Sequence, residues 1–139
     1  MVITVVAHLI SKNWRRSVLA GYVFLIIAVT ILSRTPGPKM NYDLEIFWSH
    51  RVWNIQKEQI IANVIMFIPV GVLAGKDLDW KILPGSTCFS FLIELTQLIT
   101  RRGLFEFDDI IHNTLGSFIG FLIFLVAKRL YVYYEDKKR

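Results

Sequence analysis

The chain has 139 residues, 54% of them hydrophobic, and a formal net charge of +5, with a mean hydropathy of +0.47. That length leaves room for one domain and no separate soluble module, and the apolar share exceeds what an ordinary soluble core needs, which directs the chain to the bilayer. A single cysteine, Cys88, excludes an intrachain disulfide and a cysteine-based metal site, and lysine and arginine gather at segment ends, the pattern of membrane orientation rather than of nucleic-acid binding.

In chain order, MVITVVAHLI at 1–10 is apolar but too short to span. It precedes Lys12, Arg15 and Arg16, the wrong charge order for a cleaved signal, and no small-residue cleavage site follows the first span. An interfacial helix or an extension of the first span is expected there. Four apolar spans follow, at about 18–33, 60–75, 82–100 and 110–127, each near the lower length limit for crossing a bilayer. The loop 34–59 between the first two is opened as a turn by Pro36 and Pro38 and is rich in aromatics (Tyr42, Phe47, Trp48, Trp53). Pro84 and Gly85 mark the start of the third helix, and a basic tail occupies 128–139. Lys12, Arg15, Arg16, Lys76, Lys81, Lys128, Arg129, Lys137, Lys138 and Arg139 fall on one side of such a bundle. Arg34, Lys39, Arg51, Lys57, Arg101 and Arg102 fall on the other. The expected fold is therefore an all-α polytopic membrane bundle with four transmembrane helices and both termini cytoplasmic.

Antiparallel spans convert sequence position into depth. Counting at 1.5 Å per residue from the outer ends places Asn63 and Gln97 about 5 Å deep, Asn113 about 6 Å and Glu94 about 9 Å. Three spans thus bring four polar side chains to one layer. Glu94, Gln97 and Arg101 follow i, i+3, i+7 spacing, one stripe of a helix, while Asp109 and Asn113, and Asp108 and His112, are i, i+4 pairs. A charge facing lipid costs about 2.5 kcal/mol or more, so these stripes are expected to face each other or a polar pocket that opens outward. Each residue has a plainer reading. Asp108 or Asp109 suits a cap of the fourth helix, Arg101 and Arg102 suit the end of the third, and Arg101 could pair with Glu94. Asn63 and Asn113 suit interhelical hydrogen bonding. His112 reads as a satisfied polar residue, and His8 and His50 as surface or interfacial ones.

Gly116 and Gly120 form a small-xxx-small pair that admits another helix, within the chain or in a second copy. Pro69 removes a helical hydrogen bond and Gly71 loosens the turn beyond, so a kinked second span is expected.

NVIMFIPVG (63–71) and IELTQLITRRGLFEFDDIIHNTLGSFIG (93–120) together resemble the VanZ-like family. Its pattern is N-x3-F-x-P-x-G in one span, E-x2-Q in the next, then D-x3-N-T-x-G-x3-G after a short loop. Asn63, Phe67, Pro69, Gly71, Glu94, Gln97, Arg101, Asp108, Asp109, Asn113, Gly116 and Gly120 all match. The resemblance implies a small bacterial inner-membrane protein of a family named for an association with resistance to teicoplanin-type glycopeptides.

Three functions are open at this point. A noncatalytic envelope protein would bind a lipid-linked wall precursor or a lipophilic antibiotic through Asn63, Glu94, Gln97, Arg101, Asp108, Asp109 and Asn113, with Trp48 and Trp53 over the mouth and no cofactor. An intramembrane enzyme would use Glu94 with Asp108 or Asp109 as general base or as oxygen ligands of a divalent cation. No HExxH-type zinc spacing or nucleophile arrangement is visible for it. A small oligomeric transporter would move protons through Glu94.

Overall fold

The computed structural model describes residues 12–138; the N-terminal segment expected at the interface, with His8, lies outside the described residues, as do Arg139 and the side chains of Lys12, Asn13 and Trp48. Helix α1 (Lys12–Ile27) widens into a π-turn at Ala28–Leu32, where the Ser33 N–H reaches the Ala28 carbonyl at 2.8 Å. The Thr30 and Ser33 hydroxyls donate back to the carbonyls of Ile26 and Val29, both at 2.7 Å, competing with the regular ladder at the point where it widens. After it come β1 (Asn41–Asp43), the single turn α2 (Trp48–Arg51), α3 (Trp53–Leu78), a 3-10 turn at Asp79–Lys81, α4 (Ile82–Thr100), β2 (Leu104–Glu106) and α5 (Phe107–Asp136).

Three helical stretches among the described residues are long and apolar enough to cross a membrane: Trp14–Leu32, Trp53–Thr100 with 48 residues, and Phe107–Asp136. The protein is a polytopic helical membrane protein. The second stretch contains both expected middle spans, because α3 passes into α4 through one 3-10 turn, with Asp79 at a positive φ of 51°. Its arms are about 39 and 28 Å long by helical rise. Helix α3 begins at Trp53, ahead of the apolar run expected at 60–75, and runs unbroken through Pro69. Helix α5 continues through the basic tail to Asp136, about 45 Å in all, so that tail is helical rather than a separate segment. Phe24, Leu25, Ile65, Ile99 and Val126 are exposed along the outer faces, a distribution suited to lipid contact rather than water.

The core is apolar and gathers Ile26, Phe67, Val70, Ala74, Ile82, Ile93 and Phe121 from α1, α3, α4 and α5. Its tightest contact is the crossing of α3 and α5. A Cβ on Gly116 would lie closer than 3.0 Å to the Val64 carbonyl oxygen, and one on Gly120 closer than 3.0 Å to that of Ile68. Gly71 makes the same approach from the other side, to the Ser117 carbonyl. The small-residue pair is therefore used within the chain, and the face expected to be able to join a second copy is covered by α3.

The all-α expectation omits one feature. Strands β1 and β2 pair in parallel, Asn41 with Leu104, Tyr42 with Phe105 and Asp43 with Glu106. This ladder, with the Gly37 N–H donating to the Arg101 carbonyl at 2.6 Å, draws the 34–59 loop across one end of the bundle.

Candidate functional site

That end collects the last turn of α1, the first half of α3, the last turns of α4 and the first turns of α5. Helix α4 turns a polar stripe inward, with Ser86, Ser90, Glu94 and Gln97 all buried. Ser90 lies one turn before Glu94, so helical spacing joins it to the stripe. Glu94 is 2% exposed, and its Oε2 accepts the backbone N–H of Glu106 at 3.1 Å. The Gln97 amide donates to the Thr30 carbonyl at 3.2 Å. Arg102 donates to the carbonyls of Ile31 and Leu32 at 3.1 and 3.4 Å. Together they satisfy acceptors that the end of α1 leaves open.

From α5, Asn113 donates to Ser90 Oγ at 2.8 Å, while its own Oδ1 is buried with no partner. One turn further on, Ser117 Oγ is also buried without a partner. From α3, the buried Asn63 amide nitrogen approaches the Asp109 carboxyl without reaching well-formed hydrogen-bond geometry. Gln59, one turn before Asn63, donates to the Glu106 carboxylate at 2.8 Å and to both Asp109 oxygens at 3.2 and 3.4 Å. Glu106 and Asp109 act electrostatically on Glu94, and the field of Arg34 reaches both Glu94 and Asp109. Burial, reinforced by the Asp109 charge and opposed by the Gln59 hydrogen bond, pushes the Glu106 carboxyl from 4.5 up to about 7.

The structure brings Asn63, Glu94, Gln97, Asp109 and Asn113 together. It places two expected residues differently. Helix α4 ends at Thr100, and Arg101 caps it in a left-handed conformation at φ 58°. The i+7 position is therefore not helical, Arg101 leaves the Glu94 stripe, and among the described residues the two form no ion pair. Asp108 does not cap its own helix, whose first residue is preceded by Glu106 with no side-chain cap. It points instead into the 34–59 loop, where it accepts the N–H groups of Phe47 (2.6 Å) and Ser49 (2.8 Å) and the Ser49 hydroxyl. Those are the orphan donors at the start of α2, so Asp108 caps a helix from outside it. His112, 3% exposed, meets His50 of the loop with 3.0 Å between Nε2 atoms. His50 also stacks on Trp53 at 6.3 Å.

Sequence spacing could have found Gln59 and Ser90, each four residues before a residue already in the layer. Nothing local marks Glu106, which the β1–β2 pairing inserts, or Arg34. Among the described residues no three His, Cys, Asp or Glu side chains converge as a metal-binding group. The layer thus offers three carboxyls in mutual reach, amides with open atoms, and one nearby guanidinium.

Above it lies an open groove of ≈460 Å³, lined by Arg34, Lys39, Asn41, Arg101 and Arg102, with Gly103 at the base. Gly103 packs so closely on Gln97 Oε1 and Arg34 Nη1 that a Cβ there would displace both side-chain ends.

No solved structure matches the chain. Protein VanZ of Enterococcus faecium is 27% identical over 134 residues, covering 86% of this chain and 78% of that protein. The VanZ/LLP1 family matches residues 17–128, a stretch that takes in every residue of the polar layer named above, and the chain belongs to that family.

Proposed function

We propose that the chain is a multi-pass protein of the bacterial cytoplasmic membrane that binds an envelope ligand in its polar layer. That ligand is a lipid-linked wall precursor or the lipophilic part of a glycopeptide antibiotic, and binding contributes to teicoplanin-type resistance. In this reading α3 and α4 are two spans joined at Asp79–Lys81, giving four in all. Arg15 and Arg16 pair with Asp77 at the opposite end from the layer, and the excess of lysine and arginine at that end makes it cytoplasmic, with the layer facing outward.

The observation that carries the reading is the group of open polar atoms. Asn113 Oδ1 and Ser117 Oγ are buried in or just below the layer without partners, and Asn63 Nδ2 has no well-formed hydrogen bond beyond its approach to Asp109. A buried polar group left unpaired costs about 1–3 kcal/mol, so open atoms on two facing helices favour a polar visitor that completes them. The relative named VanZ supports an envelope role by likeness. The test is protection of susceptible cells against a teicoplanin-type antibiotic by the expressed chain. Asn113→Ala and Glu94→Gln, present in the membrane at wild-type levels, are expected to lose that protection. Full protection by both variants would sink the reading.

A second reading draws on the mutual electrostatic reach of Glu94, Glu106 and Asp109, which suits proton handling, either in an intramembrane enzyme acting on such a lipid or in a proton-linked carrier. With Asp108 committed to the loop, Asp109 and Glu106 are the partners of Glu94 in it. Turnover, or pH-driven flux in proteoliposomes, abolished by Glu94→Gln would favour it over the first.

A further inference from the structure

The groove above the layer carries a ligand assignment of its own. Arg34 and Lys39 come from the segment after α1, while Arg101 and Arg102 come from the turn after α4. Two stretches of chain far apart in sequence thus converge four cations on one groove, and no carboxylate lines it. None of the four forms an ion pair among the described residues. Their convergence is built rather than incidental. The Gly37 N–H holds the Arg101 carbonyl at 2.6 Å, Arg102 is fixed on the carbonyls of Ile31 and Leu32, and the β1–β2 ladder ties Asn41 to Leu104.

Bringing like charges together on a groove that no carboxylate lines is unfavourable, and placing them at the outer end runs against the usual bias of cations toward the cytoplasm. An anion offsets both. Guanidinium donors match phosphate oxygens, Arg102 keeping one nitrogen on the α1 carbonyls, and four positive charges suit a multiply charged group better than a phosphodiester with one charge. The groove sits at the ends of membrane helices, so a headgroup held there would leave its chain among the lipid-facing surfaces. Gly103, which lines the groove, packs directly against the Gln97 amide at the edge of the polar layer.

We infer that the groove of Arg34, Lys39, Arg101 and Arg102 is the headgroup site for a lipid-linked diphosphate, with the group next to the diphosphate entering the polar layer. The inference rests on the outward-facing reading above and narrows it, since it selects a phosphate-bearing lipid over a lipophilic antibiotic as the ligand.

The test uses the purified full chain in detergent micelles and three probes: a polyprenyl diphosphate bearing a sugar on its diphosphate, inorganic pyrophosphate and phosphatidylglycerol. The polyprenyl diphosphate is expected to bind about tenfold or more tightly than phosphatidylglycerol, with pyrophosphate competing weakly. Arg101→Ala and Lys39→Ala are surface changes that leave unliganded thermal stability unaltered, and Arg101→Ala is expected to weaken lipid binding about tenfold. Unchanged binding by both variants overturns the groove. Pyrophosphate binding as tightly as the lipid overturns the lipid assignment and leaves a free anion as the ligand. Asn113→Ala separates this inference from the broader reading. Loss of lipid binding in Asn113→Ala alone refutes the groove and keeps the layer, whereas loss in the groove variants alone refutes the layer and keeps the groove.

Discussion

Asp108 holds the outer loop, and its removal tests how the polar end is closed. Its carboxylate accepts the N–H groups of Phe47 and Ser49 and the Ser49 hydroxyl. Phe47 is itself in a left-handed conformation at φ 63°, unusual for an aromatic residue and maintained only while its surroundings fix it. A hydrogen bond to a charged acceptor contributes about 1.5–3 kcal/mol. Removing three with one substitution, with less than additive loss, takes about 3–5 kcal/mol from the closed loop. Asp108→Ala is therefore expected to raise hydrogen exchange of the amides at 47–51 by about 10²- to 10⁴-fold, at one factor of ten per 1.36 kcal/mol. Asp108→Asn keeps one oxygen, which serves Ser49 best and turns the amide toward the Phe47 N–H; about tenfold is expected. Exchange read peptide by peptide distinguishes this from an ordinary helix cap, whose loss would free the amides of 108–112 and leave the loop protected. Wild-type exchange at 47–51 in Asp108→Ala would refute the reasoning.

Gly116→Ala places a Cβ against the Val64 carbonyl, a backbone atom that cannot swing away, and about 2 kcal/mol of destabilisation is expected from overpacking. Gly21→Ala, where nothing lies within 4 Å, is expected to be neutral or slightly stabilising; equal melting temperatures for the two variants would contradict the crossing geometry. Glu106 has its folded-state pKa raised from 4.5 to about 7, so the folded chain holds the proton more tightly than the unfolded one. Its contribution to stability is complete below about 4.5 and is lost as pH rises through about 7. Melting temperature measured from pH 4.5 to 8 should fall less for Glu106→Gln than for wild type, and an identical slope would refute the assignment. Gln59→Leu removes the donor shared by Glu106 and Asp109, so it should destabilise the chain more at pH 8 than at pH 5. A loss equal at both pH values would mean that Gln59 acts through packing alone.

Where the sequence anticipates the structure, the reason is the rigidity of the helix. A fixed rise of about 1.5 Å carries Asn63, Glu94, Gln97 and Asn113 to one level without knowledge of any contact, because each position depends only on its neighbours in the same helix. The same arithmetic fails one residue past a helix end. Arg101 follows Glu94 by seven positions, yet its left-handed cap aims it at the groove rather than into the layer. Hydropathy likewise marks the thickness of the bilayer and not the end of a helix, which is why α3 starts at Trp53 and α5 runs on through a basic tail. Gly116 and Gly120 announce a close approach but not the partner, which only the packed chain supplies as α3. Glu106 and Arg34 are the instructive omissions. Each reaches the layer through pairing between distant segments, the β1–β2 ladder for Glu106 and the Gly37–Arg101 hydrogen bond beside Arg34. A polar layer built this way has a helical floor legible from periodicity and a rim that depends on turns. On the inference drawn above, ligand choice is set at the rim, by which charges the turns bring together, so a chain with the same helical motif and different residues at 34, 39 and 101 is expected to keep the layer and change what enters it.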